Sequence, residues 1–146
     1  MNTAVDRIVE TFQTLSLAGV NKLDTLYAPE ARFKDPFNDV QGLAEIQRIF
    51  RHMYANLDKP HFIVTGRIVQ GTQCFLTWEF RFAFRRFQQG HAQCIEGGSH
   101  LVLNDEGRIT LHRDYWDAAE ELYEKLPLVG ALMRWMKRRS SAETNP

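Results

Sequence analysis

The hydrophobic period of this chain changes once, at Pro60, and that change decides its fold class. Before Pro60 the apolar residues recur at helical spacing. Val5, Ile8, Val9, Phe12 and Leu15 predict an amphipathic helix over residues 3–17. Gly19 breaks it, and a short second helix with Leu23, Leu26 and Tyr27 inward stops near Pro29. Residues 31–35 read as a short strand and 37–42 as loop. A third helix opens after Gly42, with Leu43, Ile46, Phe50, Met53 and Leu57 as one stripe.

After Pro60 the period is two. Residues 61–70, 73–87, 91–103 and 108–116 read as four long strands. In the second, Trp78, Phe80, Phe82 and Phe84 share one face, while Glu79, Arg81, Ala83 and Arg85 share the other. Gly97-Gly98 interrupts the third strand and predicts a bend or bulge. Asn104-Asp105-Glu106-Gly107 is a hairpin turn, with glycine where a positive φ is needed. Helices first and antiparallel strands afterwards make an α+β fold. The expected architecture is a cone: a strongly bent, mostly antiparallel sheet with three N-terminal helices on its concave face, and a C-terminal helical tail. The open end of such a cone is a natural pocket.

The 146 residues suit one domain, expected over 1–117. A helical tail follows over 118–139, and 140–146 is expected to be disordered. Within the tail, the apolar run from Leu128 to Met136 ends in Lys137-Arg138-Arg139. It is expected to pack on the domain or on a second subunit rather than to meet a membrane, a membrane-surface helix being the alternative reading. The 18 basic and 18 acidic residues cancel, which argues against a polyanion binder, so no nucleic-acid partner is expected. No secretory signal is read at the N-terminus, and no apolar run reaches the length of a membrane span. The expectation is a cytoplasmic protein with Cys74 and Cys94 as reduced thiols, a disulfide between them requiring that their strands pair.

Leu26 to Phe37 holds the turn at Pro29 and a carboxylate, Asp35, set directly before Pro36. Proline keeps the preceding residue extended, so the Asp35 side chain points to one definite face. This run, Leu26-Tyr27-Ala28-Pro29-Glu30-Ala31-Arg32-Phe33-Lys34-Asp35-Pro36-Phe37, resembles the signature of the ketosteroid isomerase-like and SnoaL-like branch of the nuclear-transport-factor-2-like superfamily, with its cystatin-like α+β fold. The third helix, the 104–109 hairpin and Tyr115-Trp116 fit it as well, so the likeness spans residues 5–117.

The resemblance implies roles. In ketosteroid isomerases the Asp at the Asp35 position is the general base, and donors on the first helix and third strand hold the developing oxyanion, as the well-studied isomerase illustrates. Phe12 and Ser99 stand at those two positions here. Phe12 cannot donate a hydrogen bond, and Ser99 can. The last strand, Leu111 to Asp117, is similar to the strand end of limonene epoxide hydrolases and SnoaL-like polyketide cyclases. There the Asp at the Asp114 position works in the pocket, paired in the hydrolases with an Asp and an Arg on a neighbouring strand. Glu79 and Arg81 hold the corresponding place in inverted order.

His112, Asp114 and Trp116 alternate and share a face, which the likeness makes the inner one. Ile109, Leu111, Arg113 and Tyr115 then face outward, and a homodimer through the outer sheet face is expected. Asp35, Asp114 and His112 are the candidate catalytic residues. Phe12, Tyr27, Phe50, Trp78, Glu79, Arg81, Ser99 and Trp116 are the candidate lining. A carboxylate desolvated in an aromatic pocket becomes an acid or base usable near neutral pH, and histidine titrates there already. The expected chemistry is proton transfer on a small hydrophobic molecule without cofactor or metal: isomerase, cyclase, dehydratase or epoxide hydrolase. Plainer roles stay open beside it. Asp35 caps a turn, Asp114 pairs with an arginine, His112 is a core histidine, Glu79 and Arg81 lie outside, and the module binds a ligand or partner protein without catalysis.

Overall fold

The computed structural model describes residues 2–86 and 90–118. Helix α1 spans Asn2–Thr14, a 3-10 helix Ala18–Thr25 and helix α2 Leu43–Asn56. The strands are β1 (Tyr27–Lys34), β2 (Asp39–Gln41), β3 (Leu57–Gln70), β4 (Gln73–Phe84), β5 (Gln93–Leu103) and β6 (Ile109–Tyr115). They form one six-stranded sheet in the order β2-β1-β6-β5-β4-β3. Every pairing is antiparallel except β1 with β6, which run parallel with Phe33 beside His112. The α+β class read from the sequence is the observed one. The segments 118–139 and 140–146, apart from Ala118, lie outside the described residues.

The apolar stripes explain the layering. Val5, Ile8, Val9 and Phe12 of α1, with Ile46 and Phe50 of α2, are buried in one core with Leu76, Trp78, Phe82, Ile95 and Leu101 of the sheet. Burying each large side chain of this kind contributes about 1.5–3 kcal/mol. On the other face, Ile68 is 69% and Tyr115 46% exposed, and the Arg113 guanidinium sits 4.7 Å above the Tyr115 ring. Ile109, expected on that outer face, is fully buried in the core instead, because the β5–β6 register shifts between Val102 and Leu103 and breaks the alternation there.

Three local readings change. Tyr27 opens a strand rather than ending a helix, because the preceding turn winds as a 3-10 helix that stops at Thr25. β1 accommodates Pro29, which has no N–H to pair, where its register with β6 shifts between Tyr27 and Arg32. Residues 39–41, read as loop, form the edge strand β2, with Arg32 Nε and Nη2 donating to Asp39 at 3.0 and 2.8 Å.

The third change is Gly97-Gly98. The β4–β5 register runs without a shift from Gln73–Val102 to Phe82–Gln93, so the glycines make no bulge. They make room. A Cβ on Gly97 would lie 2.6 Å from Trp78 Cη2 on the inner face, and one on Gly98 would lie 2.5 Å from the Phe75 ring on the outer face. The hairpin glycine behaves as expected: Gly107 has φ 78°. Cys74 pairs with Leu101 and Cys94 with Arg81, so the two cysteines sit apart in the sheet and form no disulfide with each other.

Candidate acid–base site

Four neighbouring elements carry the polar groups of the inner face. β6 supplies His112 and Asp114, β5 supplies Ser99 directly opposite Asp114, β4 supplies Trp78, and β1 opens with Tyr27. Strand alternation alone puts Trp78, Ser99, His112 and Asp114 on the side of the helices.

These groups form one hydrogen-bonded chain. Trp78 Nε1 donates to Ser99 Oγ at 2.9 Å, and Ser99 Oγ donates to Asp114 Oδ1. His112 Nε2 lies 2.7 Å from the same Oδ1, and His112 Nδ1 lies 2.6 Å from the Tyr27 hydroxyl. The indole N–H can only donate, so the Ser99 hydrogen is left for Asp114. Oδ1 then accepts from Ser99 and from His112 Nε2–H, and Nδ1 accepts from Tyr27. That assignment gives every hydrogen in the chain an acceptor, with a neutral imidazole, an ionised Asp114 and a protonated Tyr27. A doubly protonated His112 would leave the Tyr27 hydrogen without an acceptor in a fully buried place. Tyr27 fits its part: burial first, and then the Asp114 charge, push its hydroxyl well above the ordinary tyrosine range.

Aromatic rings enclose the imidazole. Phe33 stands edge-on at 4.7 Å between centroids and Phe12 at 5.5 Å, and the Tyr27 ring lies stacked at 5.9 Å. Phe50 supports Phe33 from α2, and Phe62 links Phe12 to Trp78. Asp114 is less enclosed, with its side chain 14% exposed. Its second oxygen, Oδ2, accepts no hydrogen bond from the described residues.

Asp35 stands next to this chain. Phe33 pairs with His112 and Lys34 with Arg113, so Asp35 and Asp114 follow at the next step of two parallel neighbours. Burial raises the Asp35 carboxyl above its ordinary value, and the negative Asp114 nearby adds to the rise, against hydrogen bonds that lower it. Those bonds also give Asp35 a local task. Its Oδ1 accepts from Phe37 N at 2.8 Å, Asn38 N at 2.6 Å and Asn38 Nδ2 at 3.1 Å, while Oδ2 has only the longer 3.2 Å contact to Asn38 Nδ2. Asp35 therefore caps the turn into β2 and keeps one oxygen nearly unengaged. Phe37 of that turn packs edge-on against Trp116 at 5.6 Å.

Glu79 and Arg81 are elsewhere. The unbroken β4 alternation puts them on the face opposite Trp78, where Arg81 Nη2 and Nε donate to Glu79 Oε1 at 2.7 and 3.0 Å. Their parity follows from the same pattern that buries Trp78 and Phe82, so they do not reach the Asp114 site. Asp114 pairs with His112 and Ser99 rather than with an arginine. Asn38 and Gly97 were not read from the sequence as site residues. The Asp-Pro-x-Asn run signals the first as a side-chain-capped turn; the second is visible only once β4 and β5 are in register. Among the described residues, no three His, Cys, Asp or Glu side chains converge as a metal site would require.

Comparison with known proteins agrees with this frame. The model of the SnoaL-like domain family matches residues 5–112. No curated protein matches the chain in sequence. Among solved structures, a protein of ketosteroid isomerase-like fold from Catenulispora acidiphila, in complex with trimethylamine, superposes with a TM-score of 0.71 at 17% identity, covering 85% of this chain and 93% of that one. An LEH-like epoxide hydrolase from M. tuberculosis gives 0.67 at 16% identity, over 92% and 91% of the two chains. A putative SnoaL-like polyketide cyclase from Jannaschia gives 0.70 at 13% identity, over 82% and 88%. At these identities the likeness is one of fold.

Proposed function

Because the chain belongs to the SnoaL-like domain family, and because Asp35, just past the end of β1, lies near enough to Asp114 of the neighbouring β6 for the two charges to interact, we propose that it is a cofactor-independent acid–base enzyme. Its substrate is a small hydrophobic molecule held in the open end of a cone formed by helices and sheet. The reaction is of the isomerase, cyclase, dehydratase or epoxide hydrolase kind, classes that the epoxide hydrolase and putative cyclase of the same fold represent among its structural neighbours.

The observation that carries the reading is the division of labour between the two carboxylates. Asp114 has Oδ1 tied to two donors while Oδ2 has none among the described residues, the arrangement of an ionised base held in one orientation. Asp35 is the group whose burial favours the protonated form. Asp114 removes a proton from the substrate or from water, and Asp35 delivers one. His112 orients Asp114 through Nε2, and the Phe12, Phe33 and Trp116 rings supply the apolar contact.

Turnover of a probe set tests this: a β,γ-unsaturated cyclic ketone for isomerisation, a tertiary alcohol for dehydration and a cyclic alkene oxide for hydrolysis. Turnover of one probe is expected to fall about 10²–10⁴-fold in Asp114→Asn. No turnover of any probe, with hydrophobic-dye binding equal in the parent and Asp114→Asn, favours the second reading. That reading is a non-catalytic module for a hydrophobic ligand or partner protein, and the capping of a turn by Asp35 Oδ1 supports it.

A further inference from the structure

The indole of Trp78 lies against β5 where Gly97 has no side chain. A Cβ there would come within 2.6 Å of Cη2 and 2.9 Å of Cζ3. The ring can therefore come close enough for Nε1 to reach Ser99 Oγ, two residues along β5, at 2.9 Å. Phe62 holds the ring edge-on from β3 at 5.5 Å between centroids, and Trp78 is 6% exposed. The indole thus has one place to be, and its N–H has one acceptor.

That acceptor is the second residue of the chain that ends at Tyr27. We infer that Trp78 is a positioning residue for the site and that Gly97 is the residue that admits it. The indole N–H occupies a lone pair of Ser99 Oγ and aims the hydroxyl hydrogen at Asp114 Oδ1. With that donor fixed, Oδ1 takes its second bond from His112 Nε2–H, and the imidazole is held in one neutral tautomer with Nδ1 toward Tyr27. Trp78 acts through Ser99 and touches neither carboxylate. Beyond lining the site, it keeps Asp114 Oδ1 as the oxygen that takes both hydrogen bonds. This inference rests on the acid–base reading for its meaning but not for its test.

The test is a long-range ¹H–¹⁵N spectrum of the full-length protein labelled in histidine, which reads the tautomer of His112 without any substrate. The expected spectrum of the parent has protonated Nε2 and unprotonated Nδ1. Trp78→Phe removes the N–H, and Gly97→Ala pushes the ring away; both are expected to replace the single-tautomer signal by an averaged one. Gly98→Ala overpacks the same strand from the opposite face, against Phe75, and is expected to leave the His112 signals in place. If Trp78→Phe does not fold, Ser99→Ala removes the hydroxyl through which the indole acts on Asp114, with a single-atom change, and is expected to give the averaged signal. A parent spectrum with protonated Nδ1 overturns the inference. So does an unchanged tautomer in the Trp78 or Gly97 variant, or the same change in Gly98→Ala. Failure here leaves the two-carboxylate reading intact, and failure of every turnover probe leaves this one intact.

Discussion

The Tyr27 hydroxyl lies 2.6 Å from His112 Nδ1, and both residues are buried. The described structure gives neither atom another hydrogen-bond partner. Tyr27→Phe therefore strands an imidazole nitrogen in an aromatic enclosure, and a buried acceptor left unsatisfied costs about 1–3 kcal/mol. The expected result is a urea midpoint lowered by that amount with an unchanged slope. A double variant that also replaces His112 with leucine should lose less than the sum of the single changes, since the two residues form one bond. Additive losses would show that the contact contributes nothing of its own.

The same hydroxyl makes stability depend on alkaline pH. Tyr27 is held well above the ordinary tyrosine value of 10.0 by burial and by the Asp114 charge. Above that ordinary value the unfolded chain releases its proton while the folded chain keeps it. The folded state then binds more protons, so stability falls as pH rises through this window. Melting temperature is expected to drop faster with alkaline pH in the parent than in Tyr27→Phe. Parallel curves would contradict the assignment.

Asp35 has the same sign at the acid end. Its folded value lies above the ordinary 3.8, with burial the largest cause. Below the ordinary value both states are protonated and nothing is at stake. As pH rises through it, the unfolded chain ionises first and the fold loses stability, until the folded carboxyl ionises too. Asp35→Asn keeps an oxygen for the Phe37 and Asn38 N–H groups and carries no charge. Relative to the parent it should gain stability between acid and neutral pH, measured as the difference in urea midpoints. A difference that does not change with pH would show that the fold does not raise the Asp35 carboxyl above its ordinary value.

How far these sites are legible without coordinates depends on the range of the physics involved. Strand alternation is local, so the shared face of His112 and Asp114 and the opposed faces of Trp78 and Glu79 follow from residue order alone. The edge strand Asp39–Gln41 has three residues and no apolar alternation, and it exists because β1 offers it partners. Leu26 and Tyr27 fit the inward face of a helix or the start of a strand equally well, and the pairing of Tyr27 with Ile109 decides between them. Gly97-Gly98 carries the composition of a bulge. Only the register across the β4–β5 hairpin reveals the rings that fill the two gaps.

The two glycines should therefore respond differently to the same methyl group. Neither has a positive φ, so alanine fits both backbones and the outcome depends on what the added Cβ meets. At Gly97 it meets the buried Trp78 ring at 2.6 Å and the Tyr115 carbonyl oxygen at 2.9 Å, neither of which can move into solvent. Overpacking of this kind costs about 1–3 kcal/mol. At Gly98 it meets the Phe75 ring at 2.5 Å on the outer face, where a half-buried side chain has room to swing out, and the Leu76 carbonyl oxygen only at 3.1 Å, a milder approach than the 2.9 Å at Gly97. The smaller chain entropy of unfolded alanine returns about 0.4–1 kcal/mol at either position. Gly97→Ala is expected to destabilise clearly in urea titration, and Gly98→Ala to remain near the parent. The reverse order would mean that Phe75, and not Trp78, is the ring fixed against β5.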